Sequence, residues 1–126
     1  IIFDKTENKF EILINTKKAF TRQHFTTAHE LAHYFLHREI IRTEEFIIDG
    51  EDSLDSAKML FRLDNAEYSR IETEANNCAA SLIMPTGLVI KAWNTIKNIE
   101  EVAKIFNVSP SAMSIRLERL GLVGNH

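Results

Sequence analysis

The chain has 126 residues, 44% of them apolar, one cysteine and a formal net charge of −3. That length fits one domain with a modest core, and the lone Cys78 excludes an intrachain disulfide framework and agrees with a reducing cytoplasm. The longest apolar runs fall far short of a membrane span, no signal-like segment opens the chain, and the negative balance gives no global drive toward nucleic acid or an anionic membrane.

Residues 1–15 read as a hairpin. Ile1-Ile2-Phe3 and Phe10-Glu11-Ile12-Leu13-Ile14 flank the polar Asp4-Lys5-Thr6-Glu7-Asn8-Lys9, which contains turn formers. A strand over 10–15 would offer its edge to a substrate backbone, or simply pack on the helix that follows.

From Thr21, a plausible N-cap, a helix is expected in which Phe25, Ala28, Leu31, Ala32, Phe35 and Leu36 recur at helical spacing. Inside it stands His29-Glu30-Leu31-Ala32-His33. Histidines four apart rise about 6 Å on nearly one helix face, so both imidazoles can grip a single cation. Glu30 points beside that position, where a carboxylate takes a proton from an activated water. Composition alone yields such a pentapeptide in about 2% of chains of this make-up, so the motif needs support from its surroundings. A buried helix with two neutral histidines and a glutamate carries polar groups that coordination would satisfy. The alternative is an ordinary buried helix whose histidines bond backbone carbonyls.

Two histidines and a water leave tetrahedral zinc one ligand short. His37 lies roughly 12 Å from His29 along a helix, too far to share one ion. It reads instead as a residue at the helix C-terminus, a partner of a ligand, or a substrate contact. His24 reads as an early-helix surface group, and the terminal His126 carries no signal. Residues 38–66 are the least legible: Glu44-Glu45-Phe46-Ile47-Ile48 suggests a short strand or turn. Asp49-Gly50-Glu51-Asp52-Ser53-Leu54-Asp55 suggests a solvated acidic loop or a flap, with its glycine misplaced for calcium.

Between Tyr68 and Met84, Ile71, Ala75, Cys78, Ala79, Leu82 and Ile83 mark a buried helical stripe. Glu72 falls about 60° from its centre and Glu74 about 100° away on the other flank, nearer solvent. Glu72 is therefore preferred as third ligand, with Asn76 one turn later placed to hydrogen-bond a ligand histidine or the carboxylate. Cys78 reads as a small core residue. After Met84-Pro85, Thr86 is placed to cap a helix through Val89, Ala92, Trp93 and Ile96. Ile99 to Phe106 forms another, and Ser109-Pro110 starts a third with Ser as N-cap and Pro at N1. Helix, tight turn, helix, with Ala103 and Val108 at the corner, is a helix-turn-helix pattern. From Ile96 onward four positive charges face three negative ones, a weak balance for phosphate, so direct DNA binding is possible but not favoured.

Three blocks carry a family resemblance: Arg22 through His37 around the histidine motif, Ile71-Glu72-Thr73-Glu74-Ala75-Asn76 through Met84-Pro85, and Val102-Ala103 through Phe106-Asn107-Val108-Ser109 to Arg116-Leu117-Glu118-Arg119-Leu120-Gly121-Leu122. In this order, over about residues 10 to 123, the chain resembles the ImmA/IrrE-type metallopeptidases of bacteria and their mobile elements. The resemblance implies His29, His33 and Glu72 as metal ligands, Zn²⁺ as the ion and Glu30 as catalytic base. It implies a protein substrate, a helix-turn-helix repressor encoded nearby, whose cleavage switches on a mobile element or stress programme. Cys78 departs from the aromatic or large apolar residue usual there. Family members usually begin with a helical segment, whereas Ile1-Ile2-Phe3 starts at the strand region.

The expected fold is α+β, a zincin-like minimal metallopeptidase domain with a small antiparallel sheet and helix-turn-helix-like C-terminal helices. Residues 1–95 form the metallopeptidase core and residues 96–126 pack on it. The expected function is zinc-dependent endopeptidase; the alternative is a non-catalytic DNA- or partner-binding regulator of a phage or toxin–antitoxin system. Tyr34, His37 and Tyr68 are candidates for stabilising an oxyanion.

Overall fold

A computed structural model describes residues 1–44 and 65–124. Two short strands open it, β1 (Ile2–Asp4) and β2 (Lys9–Glu11), paired antiparallel with Phe3 opposite Phe10. The reversal is set by Asp4, whose Oδ1 accepts from the Thr6 and Glu7 amides at 2.9 and 3.2 Å, and by Asn8 at φ 53°. An aspartate side chain imitating a turn and an asparagine in the left-handed region are the usual chemistry of such a bend. β2 ends at Glu11, so the expected strand over 10–15 is shorter than its apolar run suggested, and Leu13 is exposed.

Helix α1 (Phe20–Glu44) runs 25 residues, about 37 Å at 1.5 Å per residue. It begins one residue before Thr21, which therefore lies inside the first turn rather than capping it; the Gln23 amide bonds the Ala19 carbonyl. Helix α2 (Asn65–Ile83) packs along α1. Small side chains line the contact, with Ala28 and Ala32 on α1 and Ala75 and Ala79 on α2 all buried. Pairs of alanines four apart let two backbones approach closely, and that approach brings the polar groups beside them within reach of each other. Leu31, Phe35 and Leu36, expected on the buried face, are exposed among the described residues, as is Leu82 on α2. The apolar stripe is thus narrower than the hydrophobic spacing indicated.

Larger apolar residues gather at two places. Ile1, Ile41 and Ile71 form one buried group with Phe3, Phe10, Tyr34 and Tyr68 packed on it, so the hairpin is fastened over the α1–α2 pair. Phe10 meets Tyr34 edge-on at 5.2 Å between centroids. The second group joins Met84, Val89, Trp93, Val102, Ala103, Val108, Met113 and Leu117. These residues come from the end of α2 and from α3 (Thr86–Ile96), α4 (Ile99–Ile105) and α5 (Pro110–Arg119).

Each boundary in this second region has a local cause. Pro85 holds the N-cap position of α3 without a side-chain bond, and Thr86, expected as the cap, is the first helical residue. Asn98 caps α4 by accepting from the Glu101 amide, and Ser109 caps α5 by accepting from Ala112, with Pro110 at N1. Asn107, at φ 56°, turns the α4–α5 corner, where the Val108 amide donates to the Ala103 carbonyl and both side chains are buried. No helix among the described residues is long and apolar enough to cross a membrane. The expected strand or turn near 44–48, the acidic loop at 49–55 and His126 lie outside the described residues.

Candidate metal centre

Every fourth residue of α1 from His29 to His37 is a histidine, so three imidazoles stack along one helix face. All three are buried. His29 Nε2 and His33 Nε2 lie 3.0 Å apart. Glu72 of α2 meets them both: Oε2 is 3.2 Å from His29 Nε2, and Oε1 is 3.2 Å from His33 Nε2. The structure therefore brings together the three side chains singled out as ligands, and one ligand atom from each lies within 4.8 Å of the others.

Proton accounting shows what these atoms have in common. Glu74, as a carboxylate, can only accept, and its Oε1 lies 2.9 Å from His37 Nε2, so that nitrogen donates. In a neutral ring His37 Nδ1 is then an acceptor, and it faces His33 Nδ1 at 3.0 Å. His33 consequently donates from Nδ1 and keeps a lone pair on Nε2. Asn76 Oδ1 does the same for His29, accepting from Nδ1 at 2.8 Å and leaving Nε2 bare. Two lone pairs and a carboxylate thus converge. Glu72 Oε1 is buried without a hydrogen-bond partner, and in this proton order His33 Nε2, 3.2 Å away, has no proton to offer it.

A divalent cation resolves that arrangement. Zinc with Zn–N and Zn–O distances of about 2.0–2.2 Å in tetrahedral geometry separates its donors by roughly 3.3–3.5 Å. The observed separations of 3.0, 3.2 and 3.2 Å need only small outward adjustments. The donor set, two imidazoles and a carboxylate, suits zinc and leaves a position open for water or substrate. The residues fit the ion.

The three groups also act on one another's charge. Burial disfavours charge on Glu72, yet contact with His29 and His33 outweighs it and holds the carboxyl at about 2. At His33 burial dominates, with the flanking imidazoles adding to it, and pushes the ring down to about 4. At His29 burial is outweighed by Glu72, Glu30 and Asn76, and the pKa is raised. Glu72 is thus an anion and His33 a neutral base, the protonation states a metal ligand requires, whereas at His29 the raised pKa favours a proton with which a cation would compete.

Glu30 is 2% exposed, its carboxylate in contact with the Ile1 main-chain nitrogen, and its charge is felt at His29. It stands beside the three clustered donors rather than among them, as its position after His29 requires. Glu74, the carboxylate weighed against Glu72, lies outside the donor cluster at the far end of the imidazole row, where Arg70 also bonds it at 2.9 Å. The His37 hydrogen bond, first, and then Arg70 hold its pKa down. His37 is two turns short of the end of α1, so the expected helix-terminal role does not hold. Both its ring nitrogens are engaged, which removes it as an oxyanion donor, while Tyr34 and Tyr68 pack in the Ile1–Ile41–Ile71 group. The sequence signal for His37 was its spacing of four from His33. That spacing marks a neighbour of a candidate ligand, hydrogen-bonded to His33 and outside the donor cluster.

His24, expected at the surface, is half-buried and bonds the Asn107 carbonyl at 2.9 Å through Nδ1. It ties α1 to the α4–α5 corner. Arg116 donates to the Met84 carbonyl and Thr86 Oγ1, and Arg119 to Asn77 Oδ1. Each of these two arginines thus has part of its guanidinium bonded within the chain.

A profile of the peptidase family described as the IrrE N-terminal-like domain matches residues 3–118. The chain is also 28% identical over 124 residues to a protein named metallopeptidase ImmA from Bacillus subtilis (strain 168), an alignment covering 97% of this chain and 63% of that protein. The chain thus spans less than two thirds of that relative's length. Comparison with solved structures gave no match. A profile covering nearly the whole chain, with both histidines and both glutamates of the site inside the matched stretch, places this chain in the IrrE N-terminal-like peptidase family.

Proposed function

We propose that the chain is a zinc-dependent endopeptidase that hydrolyses a peptide bond in a protein substrate. The observation that carries this reading is the convergence of His29 Nε2, His33 Nε2 and the buried, unpartnered Glu72 Oε1 beside a second buried carboxylate, Glu30. His29, His33 and Glu72 hold the ion, and Asn76 fixes the His29 ring so that Nε2 faces it. When bound, the ion supplies Lewis acidity toward a substrate carbonyl and toward water. Glu30 takes the proton released by the attacking water and returns it to the leaving nitrogen. Burial beside the site keeps that carboxylate close to where the proton is released.

The substrate class implied by the family resemblance is a helix-turn-helix transcriptional repressor of a mobile element or stress response. The lone cysteine agrees with work in the cytoplasm. Residues 1–95 carry the site, and 96–126 form a helical segment that packs against it and does not act on DNA by itself. The weak charge balance from Ile96 onward, four positive groups against three negative, supports that last point.

Replacing Glu30 by Gln tests the reading. Bound zinc is expected to stay at one equivalent while cleavage of the repressor encoded beside the gene falls by about 10²–10⁴-fold. Cleavage at the wild-type rate by Glu30→Gln would overturn the assignment of the base. A biological effect retained by that variant would favour a non-catalytic partner-binding regulator.

A further inference from the structure

Beside the metal site lies a cavity of about 600 Å³, walled by α1, α2 and α5. That volume falls within the roughly 300–1,000 Å³ of ligand pockets. His29 and Asn76 are among its lining residues, so it borders one of the three proposed ligands. Phe25, Ala80 and Ile115 give it apolar walls, and Ile115 is 54% exposed at its lip. Arg22, Arg116 and Arg119 also line it, and among its described residues there is no aspartate or glutamate. Arg116 and Arg119 bond only neutral oxygens, those of Met84, Thr86 and Asn77, and no described carboxylate pairs with either.

Two guanidinium groups without a counter-charge, on an apolar cleft in a chain of net charge −3, are an arrangement that a carboxylate ligand completes. Arginine presents five N–H donors, and neither residue uses all of them internally. The C-terminal helix α5 supplies both arginines and Ile115, so the segment that packs on the core would also shape what the core accepts.

We propose that this cleft is the substrate-binding subsite, and that it selects a peptide segment carrying an acidic side chain toward Arg116 and Arg119 and an apolar side chain against Phe25, Ala80 and Ile115. The inference rests on the peptidase reading above and adds to it the chemistry of the substrate. The cleft borders His29, which suits a peptide that reaches from it to the ion. The apolar walls suit a side chain better than a phosphate backbone.

The test uses the zinc-loaded chain and a pool of proteome-derived peptides, with cleaved bonds read by mass spectrometry. Aspartate and glutamate should be enriched at one position on one side of the cut. For a peptide pair differing only as aspartate or asparagine at that position, KM should rise roughly tenfold with the amide while kcat stays within about twofold. In Arg119→Ala the two peptides should converge, and Arg119→Lys should retain part of the difference. Binding of the same pair to Glu30→Gln by fluorescence anisotropy gives a readout independent of turnover, and should show the same preference.

Cleavage without acidic enrichment, or a preference untouched in both Arg119→Ala and Arg116→Gln, overturns the subsite and leaves the peptidase reading intact. Displacement of the acidic peptide by a short single-stranded oligonucleotide at equal concentration also overturns it. Acid-selective binding without cleavage by the wild type supports the cleft and refutes the peptidase reading. Should Arg119→Ala fail to fold, the aspartate–asparagine comparison on the wild type decides by itself.

Discussion

Substituting His37 by Leu should weaken zinc binding although His37 does not touch the ion. Its Nδ1 lies 3.0 Å from His33 Nδ1, and His33 is fully buried, so no water can take over as acceptor. Leucine is similar in bulk but accepts nothing. The His33 proton then has two choices. It can stay on Nδ1 unpaired, at a cost of about 1–3 kcal/mol in stability. Alternatively it can move to Nε2, where Glu72 Oε1 at 3.2 Å would receive it and the lone pair needed for the ion would be lost. Reversing that tautomer on metal binding corresponds to the tenfold to hundredfold affinity loss typical of removing a partner of a ligand histidine, about 1.4–2.8 kcal/mol.

The assay is competition for Zn²⁺ against a chromophoric chelator, with circular dichroism to establish that the fold is retained. Glu74→Gln should be much milder, with less than about threefold loss, because the amide oxygen still accepts from His37 Nε2 and the position is 44% exposed. The order should therefore be wild type, Glu74→Gln, then His37→Leu. A folded His37→Leu protein that binds zinc within twofold of the wild type would refute the proton order deduced for the imidazole row.

Removing the ion with a chelator should lower the urea midpoint, because ligand at about a thousand times its Kd contributes roughly 4 kcal/mol to the folded state. An unchanged midpoint would mean that nothing is bound there. Ala32→Leu should destabilise by about 1–3 kcal/mol through overpacking, and should also weaken zinc binding by separating α1 from α2; intact affinity would show that the ligands tolerate the shift. Ser109→Ala should cost about 1 kcal/mol by removing the cap that accepts from Ala112, with zinc affinity unchanged. An altered affinity would reveal coupling between α5 and the ion.

The parts legible in the sequence are those set by chemistry within a few residues. Ser109-Pro110 was read as a helix start and caps α5 as expected, since both its cap bond and its fixed φ are local. The spacing of His29 and His33, and the position of Glu72 at the edge of an apolar stripe, anticipated side chains that the fold does bring together. Thr21 and Thr86 have the right side chain to cap, but in each case the helix begins before the threonine is free to do so. Leu31 and Phe35 follow helical spacing yet point away from α2, because the alanines beside them make the contact instead. His37 and Glu74 were both noticed, but their pairing depends on how α1 and α2 lie side by side, which no single-helix pattern contains.

That packing also explains why the polar site belongs to the fold rather than resting on it. The large buried residues on this stretch are Ile71, in the first half of α2 and in one apolar group, and Met84, just past its end and in the other. Between them the buried apolar residues are Ala75 and Ala79, and on α1 Ala28 and Ala32, each burying little more than a methyl group, worth about 0.8 kcal/mol apiece by transfer. Four buried methyl groups are a weak adhesive for the middle of a helix pair that also buries three histidines and Glu30. Left unsatisfied, those polar groups would cost more than the alanines contribute. The hydrogen bonds from His29 to Asn76 and from His37 to Glu74 cross the interface on either side of His33, and the ion would join the two helices at the point between them. Larger apolar residues in place of the alanines would bind the helices more firmly but hold them too far apart for Glu72 to meet both rings. The close contact that limits hydrophobic adhesion is the one that makes coordination possible.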